Sequence, residues 1–377
     1  MPDLVAIDLA GPAFADAVRR AWDAGEAVLP VDRRLPAPAR RALLAAMAPT
    51  HVQDGGGRRA VEGGRGVEIG DALVMATSGS TGVPKGVVLT HDALAASARV
   101  TGARLEVTSD DHWLACLPLA HIGGFSVLTK AWHGGTPLTI HDGFDATAVD
   151  RAARTGCTLV SLVATALARI DPSRFRRIVL GGSRPPTDRP PNTVATYGMT
   201  ETGSGIVYDG RPLDEVEVEV DADGEIRVRG PMLLRAYRDG RSPFDADGWF
   251  ATGDLGRWLP DGRLFVDGRR GDLVITGGEN VWPEVVEAAL RDLTSVADVA
   301  VAGVPDAEWG QRVVAWVVPA HPADPPSLEQ VRRHVAERHP TYMAPRELRL
   351  VTAVPRTPLG KVARGSLLDL GGPSTTR

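Results

Sequence analysis

At 377 residues, with 43% apolar and 24% charged, the chain has the composition of a folded protein of two to three domains, at about 150 residues each. Lys+Arg 42 against Asp+Glu 47 leaves a net charge of −5, so the basic excess of a nucleic-acid or anionic-membrane binder is missing. Two cysteines, Cys116 and Cys157, exclude a disulfide scaffold and a four-cysteine zinc site; both lie in apolar runs that suit buried, reduced thiols in a cytoplasmic protein.

Met1 to Ala10 lacks the basic segment and long apolar core of a secretory signal. The most apolar stretch, Thr158 to Ile170, is broken by Ser161, Thr165 and Arg169, so membrane insertion is not expected. The first seventy or so residues are weakly patterned: a helix is expected over Ala13 to Ala27, another over Ala39 to Ala48, and a flexible Gly/Arg-rich loop over Gln53 to Gly66. From Ala72 a short apolar run enters a Ser/Thr/Gly-rich loop. His91 to Arg104, Phe125 to His133 and Asp145 to Arg154 have helical spacing. Trp113 to Leu117, Pro137 to Ile140, Leu159 to Val163 and Arg177 to Leu180 read as strands. Strands alternating with helices predict an α/β fold with a mostly parallel sheet.

After Tyr197, Glu215 to Asp221 and Glu225 to Arg229 alternate around Asp223-Gly224 as a hairpin, and Arg263 to Val266 reads as a strand. Beyond Gly268-Arg269-Arg270-Gly271 the text resets into a smaller unit. A helix opens at Pro283, with Glu284 and Glu287 near its positive end. Strands are expected over Val296 to Val304 and Val313 to Val318, and a helix over Leu328 to Arg338. The spacing predicts domains 1–268 and 269–377, and a frayed tail from Gly371.

Lysine is used at only three positions, Lys85, Lys130 and Lys361, against 39 arginines. A lysine kept in such a chain marks a place for a compact, mobile point charge. Lys85 closes Thr77-Ser78-Gly79-Ser80-Thr81-Gly82-Val83-Pro84-Lys85-Gly86, which follows an apolar strand. Its glycines let backbone N–H groups approach an anion, its hydroxyls add donors and Lys85 adds charge, equipment for a polyphosphate. It is not a Walker A loop, because Pro84 precedes Lys85 and Gly86 follows it.

This string resembles the phosphate loop of the adenylate-forming superfamily of acyl-CoA synthetases, luciferases and adenylation domains. The other motifs follow in that family's order: Pro118 to Gly124, Gly181-Gly182-Ser183, Tyr197-Gly198-Met199-Thr200-Glu201-Thr202, Gly224 to Tyr237, Thr252-Gly253-Asp254, Gly268-Arg269, Gly277-Gly278-Glu279-Asn280 and Pro358-Leu359-Gly360-Lys361. The resemblance covers about residues 70–370. It implies a large N-terminal domain of layered β-sheets and helices, with a small mobile α+β C-terminal domain. The implied activity is AMP-forming acid–CoA ligation with ATP, Mg²⁺ and CoA.

The resemblance also implies roles. Thr77, Ser78, Gly79, Ser80, Thr81, Gly82 and Lys85 would hold the β- and γ-phosphates, Thr200 the α-phosphate, and Glu201 the Mg²⁺. Gly181, Gly182, Tyr197 and Gly198 would line the adenine, while Asp254 and Arg269 would meet the ribose. Lys361 would bridge the attacking carboxylate and the nucleotide. The hinge would fall at Arg270, Gly271 and Asp272; the family commonly has Asp or Lys where Gly271 stands. Gly277, Gly278, Glu279 and Asn280 would line the pantetheine tunnel. His121 would line the acyl pocket with Phe125 and Ser183, its bland alternative being a satisfied core histidine. Arg184 and Lys130 are the candidate cations for a second carboxylate on the substrate; Lys130 read alone favours a solvated lysine, with a contact to that carboxylate or to CoA phosphate as the sharper alternative.

The string Ile275 to Pro283 resembles the thioester-forming branch, and the short N-terminal region and Arg-rich composition resemble the compact o-succinylbenzoate–CoA ligases that serve menaquinone synthesis. Ligation of another aryl or fatty acid, or loading of a carrier protein, is the alternative. Partners are small molecules; a homodimer is one way to cover an apolar face left by the short N-terminal region.

Overall fold

The computed structural model describes residues 1–78, 84–182, 185–186, 188–356, 362–370 and 374–376. Ser78, Gly79, Ser80, Thr81, Gly82, Ser183, Arg184 and Lys361 lie, by their side chains or entirely, outside the described residues. The chain divides into two compact units. The first comprises 1–219, 227–251 and 258–264; the second comprises 220–226, 252–257 and 265–377.

In the first unit, β1 (Leu4–Ile7), β2 (Ala27–Pro30), β3 (His51–Asp54), β4 (Gly57–Ala60), β5 (Asp71–Ser78) and β6 (Pro84–Thr90) belong to one sheet. A second sheet holds β7 (Trp113–Ala115), β8 (Leu138–Ile140), β9 (Leu159–Leu162), β10 (Arg177–Leu180), β11 (Thr193–Gly198), β12 (Gly205–Tyr208) and β13 (Arg211–Pro212), in the order β13-β12-β11-β10-β9-β7-β8. Strands β14 (Glu217–Val220) and β15 (Glu225–Arg229) come next. Then β16 (Ala236–Tyr237) returns to the edge of the first sheet, giving the order β16-β6-β5-β2-β1-β3-β4. Strands β17 (Phe250–Trp258) and β18 (Leu264–Arg269) complete a third sheet, β14-β15-β17-β18.

Helices α1 (Gly11–Asp23), α2 (Ala37–Met47), α3 (His91–Arg104), α4 (Ile122–Gly134), α5 (Ala146–Arg154) and α6 (Ala164–Leu167) alternate with these strands. Helix starts follow local chemistry. Pro12 stands in the first turn of α1, the Thr90 hydroxyl accepts from Ala93 N (3.1 Å) at α3, and Asp145 accepts from Ala148 N (2.7 Å) at α5. Helix α3 packs on β5, β6 and β12, α4 packs on β7 and β9, and the two helices pack on each other, so they join the two sheets.

The N-terminal region is more ordered than its pattern suggests. β1 and β2 are parallel, four residues each and buried on both faces, so they carry no apolar–polar alternation to announce them. The expected loop over Gln53 to Gly66 is in fact mostly a hairpin. β3 and β4 pair antiparallel, the Asp54 carboxylate accepts from Gly56 N (2.9 Å), and Gly57 takes φ +109. All four residues of β4 are exposed, which hides the strand from any hydrophobic reading. Both cysteines are buried and free, and burial pushes the Cys116 thiol up to about 12.

In the second unit, β19 (Val274–Thr276), β20 (Glu279–Val281), β21 (Val296–Asp306), β22 (Gly310–Pro319), β23 (Glu347–Leu350) and β24 (Ser374–Thr376) form one sheet with α7 (Pro283–Arg291) and α8 (Leu328–Ala336). Alternate residues of β21 and β22 serve two cores. Val299, Val301, Val313, Ala315 and Val317 face α7 and α8, while Ala300, Ala302, Val314 and Trp316 meet Val354 and Leu367. The tail expected to fray carries β24, which pairs antiparallel with β23. Glu287, expected at the positive end of its helix, is instead turned inward. It is 2% exposed, accepts from Val301 N (2.9 Å) and pairs with Arg364 Nη2 (2.7 Å).

Candidate active site

Strands β5 and β6 form an antiparallel pair that brings Thr77 opposite Lys85 and Ser78 opposite Pro84, so the two ends of the Ser/Thr/Gly string meet. The Thr77 hydroxyl donates to Lys85 O at 3.5 Å. Gly86 is required here: a Cβ would come within 2.6 Å of Met47 Sδ and of Arg238 Cβ. On the other side of β6, β16 sets Tyr237 opposite Val87, and Lys85 Nζ lies 5.8 Å from the centre of the Tyr237 ring. The Tyr237 hydroxyl donates to Glu201 Oε1 at 3.3 Å, and Leu234 N donates to Glu201 O at 2.8 Å. Lys85, Tyr237 and Glu201 therefore form a chain of contacts from the phosphate string to the Tyr-Gly-Met-Thr-Glu motif. Tyr237 ends one of the sequence motifs, but its link to Glu201 is a product of strand pairing and had no sequence signal.

Glu201 lies in the short 3-10 turn Thr200–Thr202, which directly follows β11. The Thr202 hydroxyl accepts from Met199 N (2.9 Å), and Gly203 at φ +67 ends the turn. β10 and β11 are parallel neighbours, with Leu180 opposite Ala195. Gly181-Gly182 and Tyr197-Gly198 thus leave the same end of the sheet, the carboxyl end, where α/β sheets bind ligands. A Cβ on Gly198 would lie 2.3 Å from Ser204 O, so that glycine is needed by the turn itself. One carboxylate is enough for a nucleotide-borne Mg²⁺, which takes most of its oxygens from phosphates and water. Among the described residues no group of three or more His, Cys, Asp or Glu could hold a metal ion by itself.

His121 caps the start of α4. Its Nε2 lies 3.0 Å from Asp32 Oδ2 and 2.8 Å from Arg34 Nη2, while Arg34 grips Asp32 through Nε (2.9 Å) and Nη2 (2.8 Å). Burial raises the Asp32 carboxyl, but the Arg34 hydrogen bonds and charge outweigh it and hold the group down to about 2. Burial lowers the His121 imidazole below its ordinary value, against the pull of Asp32. Asp32 and Arg34 lie between Pro30 and Pro36, and nothing in their sequence pointed to His121.

Phe125 was expected to line the pocket. Its ring is fully buried instead, edge-on to Phe14 (6.2 Å) and Trp22 (6.1 Å), and the structure gives it a packing role under α1. Lys130, one turn further along α4, is not a solvated lysine. It is 6% exposed, its Nζ donates to Ser126 Oγ (3.3 Å), and it sits 5.9 Å from the Trp113 ring centre. Among the described residues it has no carboxylate partner, and burial alone pulls its ammonium down to about 8. It opens on a cavity of about 550 Å³ whose lining includes Trp113, His133, Asp92, Arg99 and small residues of α3 such as Ala95 and Gly102.

In the second unit, Asp254 and Arg269 come together, with Arg269 Nη1 3.2 Å from Asp254 Oδ1. The same guanidinium donates to Thr252 O, and Gly253 at φ +74 leaves room for it. Arg270 to Asp272 form a short 3-10 turn; Arg270 pairs with Glu225 (3.2 Å) and Asp272 with Arg364 (3.3 Å). Gly271 has an ordinary φ, and a Cβ there would meet open space. Gly277 and Gly278 form the two-residue turn between β19 and β20, both at positive φ (+59 and +84), as a type I′ hairpin demands. A Cβ on Gly277 would also strike the Trp309 ring at 2.8 Å. Turn geometry therefore accounts for both glycines, while Glu279 and Asn280 beside them are exposed. Among the described residues, no helix is long and apolar enough to cross a membrane.

Residues 68–238 match the AMP-binding enzyme family, and residues 285–361 match the AMP-binding enzyme C-terminal domain. The probable 2-succinylbenzoate–CoA ligase of Mycobacterium tuberculosis strain H37Rv is 41% identical over 324 residues, covering 79% of this chain and 84% of that protein. The 2-succinylbenzoate–CoA ligase of Listeria monocytogenes serovar 1/2a is 33% identical over 330 residues, covering 79% of this chain and 70% of that protein. The solved structure of o-succinylbenzoate CoA synthetase from Bacillus subtilis in complex with its acyl-adenylate intermediate superposes with a TM-score of 0.88 at 30% identity, covering 98% of this chain and 89% of that one. The motifs, the sheets that place them and these likenesses converge: the chain belongs to the AMP-binding, adenylate-forming enzyme family.

Proposed function

We propose that the chain is an AMP-forming acid–CoA ligase acting on 2-succinylbenzoate, within menaquinone synthesis in the cytoplasm. The family supplies the reaction class, and the relatives' names point to the acid. The observation that carries the substrate is Lys130: a buried ammonium without a carboxylate partner among the described residues, facing a cavity with an aromatic wall. Leaving such a charge unpaired is costly unless a ligand pairs it. A substrate with an aromatic ring and a second carboxylate fits: the ring lies against Trp113 and the alanines of α3, and the carboxylate meets Lys130. Lys130 stands nine residues beyond His121, about 13 Å along the helix axis at 1.5 Å per residue, and its side chain leans back towards Ser126. The substrate would thus span from the His121 end of α4, where its other carboxylate is activated, towards Lys130.

In the first step an oxygen of that carboxylate attacks the α-phosphorus of ATP. The bond from α-phosphorus to the bridging oxygen breaks, and pyrophosphate leaves. Charge develops on phosphate oxygens, so positioned cations and donors dominate the rate. Thr77, Ser78, Ser80, Thr81 and Lys85 hold the β- and γ-phosphates and Thr200 donates to the α-phosphate. Tyr197 stacks on adenine beside Gly181 and Gly182, Asp254 accepts from the ribose hydroxyls with Arg269 alongside, and Lys361 bridges the two reactants. Glu201 would hold Mg²⁺, which would neutralise phosphate charge. In the second step the CoA sulfur attacks the acyl carbon, AMP leaves with the anhydride oxygen, and the thiol proton passes to solvent. Residues 277–280 take the pantetheine arm, after rotation about residues 270–272. The ordinary backbone at Gly271 leaves that position free to adopt a second conformation.

The test is a product assay by mass spectrometry with Mg-ATP, CoA and a panel of acids. Formation of 2-succinylbenzoyl-CoA and AMP well above the other thioesters supports the proposal. Dominance of another thioester keeps the ligase and changes the substrate. AMP release without any thioester redirects the second step to a carrier protein, and ADP in place of AMP overturns the reading.

A further inference from the structure

We propose that Arg238 is a positioning residue for the metal end of the nucleotide site, fixing the Glu201 carboxylate through Tyr237. The proposal rests on the reading that Glu201 holds Mg²⁺. Arg238 directly follows β16 and is 8% exposed. Its N donates to Gly86 O (2.7 Å), which ties the segment to β6. Its guanidinium reaches the chain before β5: Nε donates to Met47 O (3.1 Å), Nη1 to Gly66 O (2.7 Å), and Nη2 to Ala48 O (3.3 Å) and to Arg65 O. Among the described residues each of these acceptors is a main-chain carbonyl, and no carboxylate pairs with Arg238. Met47 and Ala48 close α2, where the helix dipole is negative, so the helix end supplies the counter-charge. A guanidinium presents five donors in a fixed fork, and an ammonium presents three on a flexible stem.

Tyr237 stands between two anchored arginines. Arg235 grips Asp71 through Nε (2.8 Å) and Nη2 (2.9 Å), and its N donates to Val88 O (2.8 Å). Arg238 holds the other end. From the segment so fixed, the Tyr237 hydroxyl donates to Glu201 Oε1 at 3.3 Å, and Leu234 N donates to Glu201 O at 2.8 Å. The hydroxyl bond is already long, so a small shift of the segment breaks it. Gly86 belongs to the same arrangement, because a Cβ there would lie 2.6 Å from Arg238 Cβ. The last residue of the phosphate string thus makes room for the arginine that anchors Tyr237. The weakly patterned N-terminal region thereby takes part in aiming a carboxylate at the metal.

Calorimetry would measure Kd for ATP, with Mg²⁺ and with the metal removed by EDTA, in Arg238→Lys, Tyr237→Phe and the double variant. Arg238→Lys is expected to weaken Mg-ATP binding about fivefold and metal-free ATP binding less than about twofold, the loss of one oriented hydrogen bond to the metal-holding carboxylate. Tyr237→Phe should reproduce that split. The double variant should be no more than about twofold worse than the worse single variant, because both act through one hydroxyl. Arg65 is exposed and its Nη2 donates to Arg238 O. Arg65→Met, at a position that tolerates change, should show the same split at about threefold even if Arg238→Lys folds poorly. Equal losses with and without Mg²⁺, additive losses in the double variant, or an unmoved Mg-ATP affinity in Arg65→Met and Tyr237→Phe overturn the positioning role. If Glu201→Gln binds Mg-ATP as wild type does, the metal reading of Glu201 fails first, and this proposal falls with it.

Discussion

Lys85 and Lys130 stand in the same unit, each at the edge of a proposed ligand site, and they are held in opposite ways. Lys85 is half-buried at the start of β6, beside the Tyr237 ring and the charge of Asp239. Lys130 is sunk among Trp113, Ser126 and the small residues of α3 with no carboxylate to meet it among the described residues. The first is a half-buried cation beside an aromatic ring and an acidic neighbour. The second is a buried charge, which on the proposed function the second carboxylate of the substrate would pair.

Substitutions can break this comparison, the largest effect first. Lys85→Ala should lower the rate of adenylate formation by about 10²–10³, the cost of one preorganised electrostatic group, with the stability of the free protein within about 0.5 kcal/mol of wild type. Pyrophosphate release and urea unfolding measure the two quantities. Lys130→Met should do the reverse on stability. The free protein should gain about 1–3 kcal/mol, because an unpaired buried charge is replaced by an apolar chain of similar length. KM for the acid should rise about 10–100-fold, the loss of a buried ion pair. A destabilised Lys130→Met protein would mean that the ammonium is paired in the free state after all.

Acidity sharpens the same contrast. The folded Lys130 sits at about 8 against 10.5 unfolded, so the folded protein binds fewer protons than the unfolded chain between those values. Stability should therefore rise as pH climbs from 8 towards 10 by about 2 kcal/mol from this group, and Lys130→Met should abolish that rise. Affinity for the acid should fall over the same range, as the ammonium loses its proton. The smallest effect is expected at Tyr237→Phe. Losing a 3.3 Å hydrogen bond to Glu201 should raise KM for Mg-ATP about threefold to tenfold with the acid unaffected, which steady-state kinetics would show.

What was legible in the sequence was chemistry confined to short strings. The phosphate string, the Tyr-Gly-Met-Thr-Glu motif and the Asp254 and Arg269 positions are short local patterns, and the structure places Thr77 and Lys85 near strand ends, Thr200 to Thr202 in a tight turn, Asp254 within β17 and Arg269 at the end of β18. What escaped was whatever depends on chain segments far apart. Asp32 meets His121 across 89 positions, and Tyr237 meets Glu201 across 36. Phe125 looked like a pocket residue because it follows the His121 motif, but α1 lies over it. Glu287 looked like a dipole partner, but its place on α7 turns it into the sheet, where burial raises its carboxyl against the pull of Arg364 and Arg291. Gly277-Gly278 suited a passage for a thin ligand arm and also a type I′ turn, and only strand pairing shows that the turn alone suffices.

The exposed strand β4 ends the first sheet, and every one of its residues faces solvent. Its outer backbone groups are an open template on which a foreign strand could grow. Arg58 and Arg59 guard it: Arg58 is tied to Glu26 at 2.8 Å, and Arg59 is paired with Asp54. Any incoming strand must come to terms with two fixed charges at the border, a common defence against sheet-to-sheet aggregation. Uncharging that border would leave the chemistry untouched and cost the protein its colloidal solubility at high concentration.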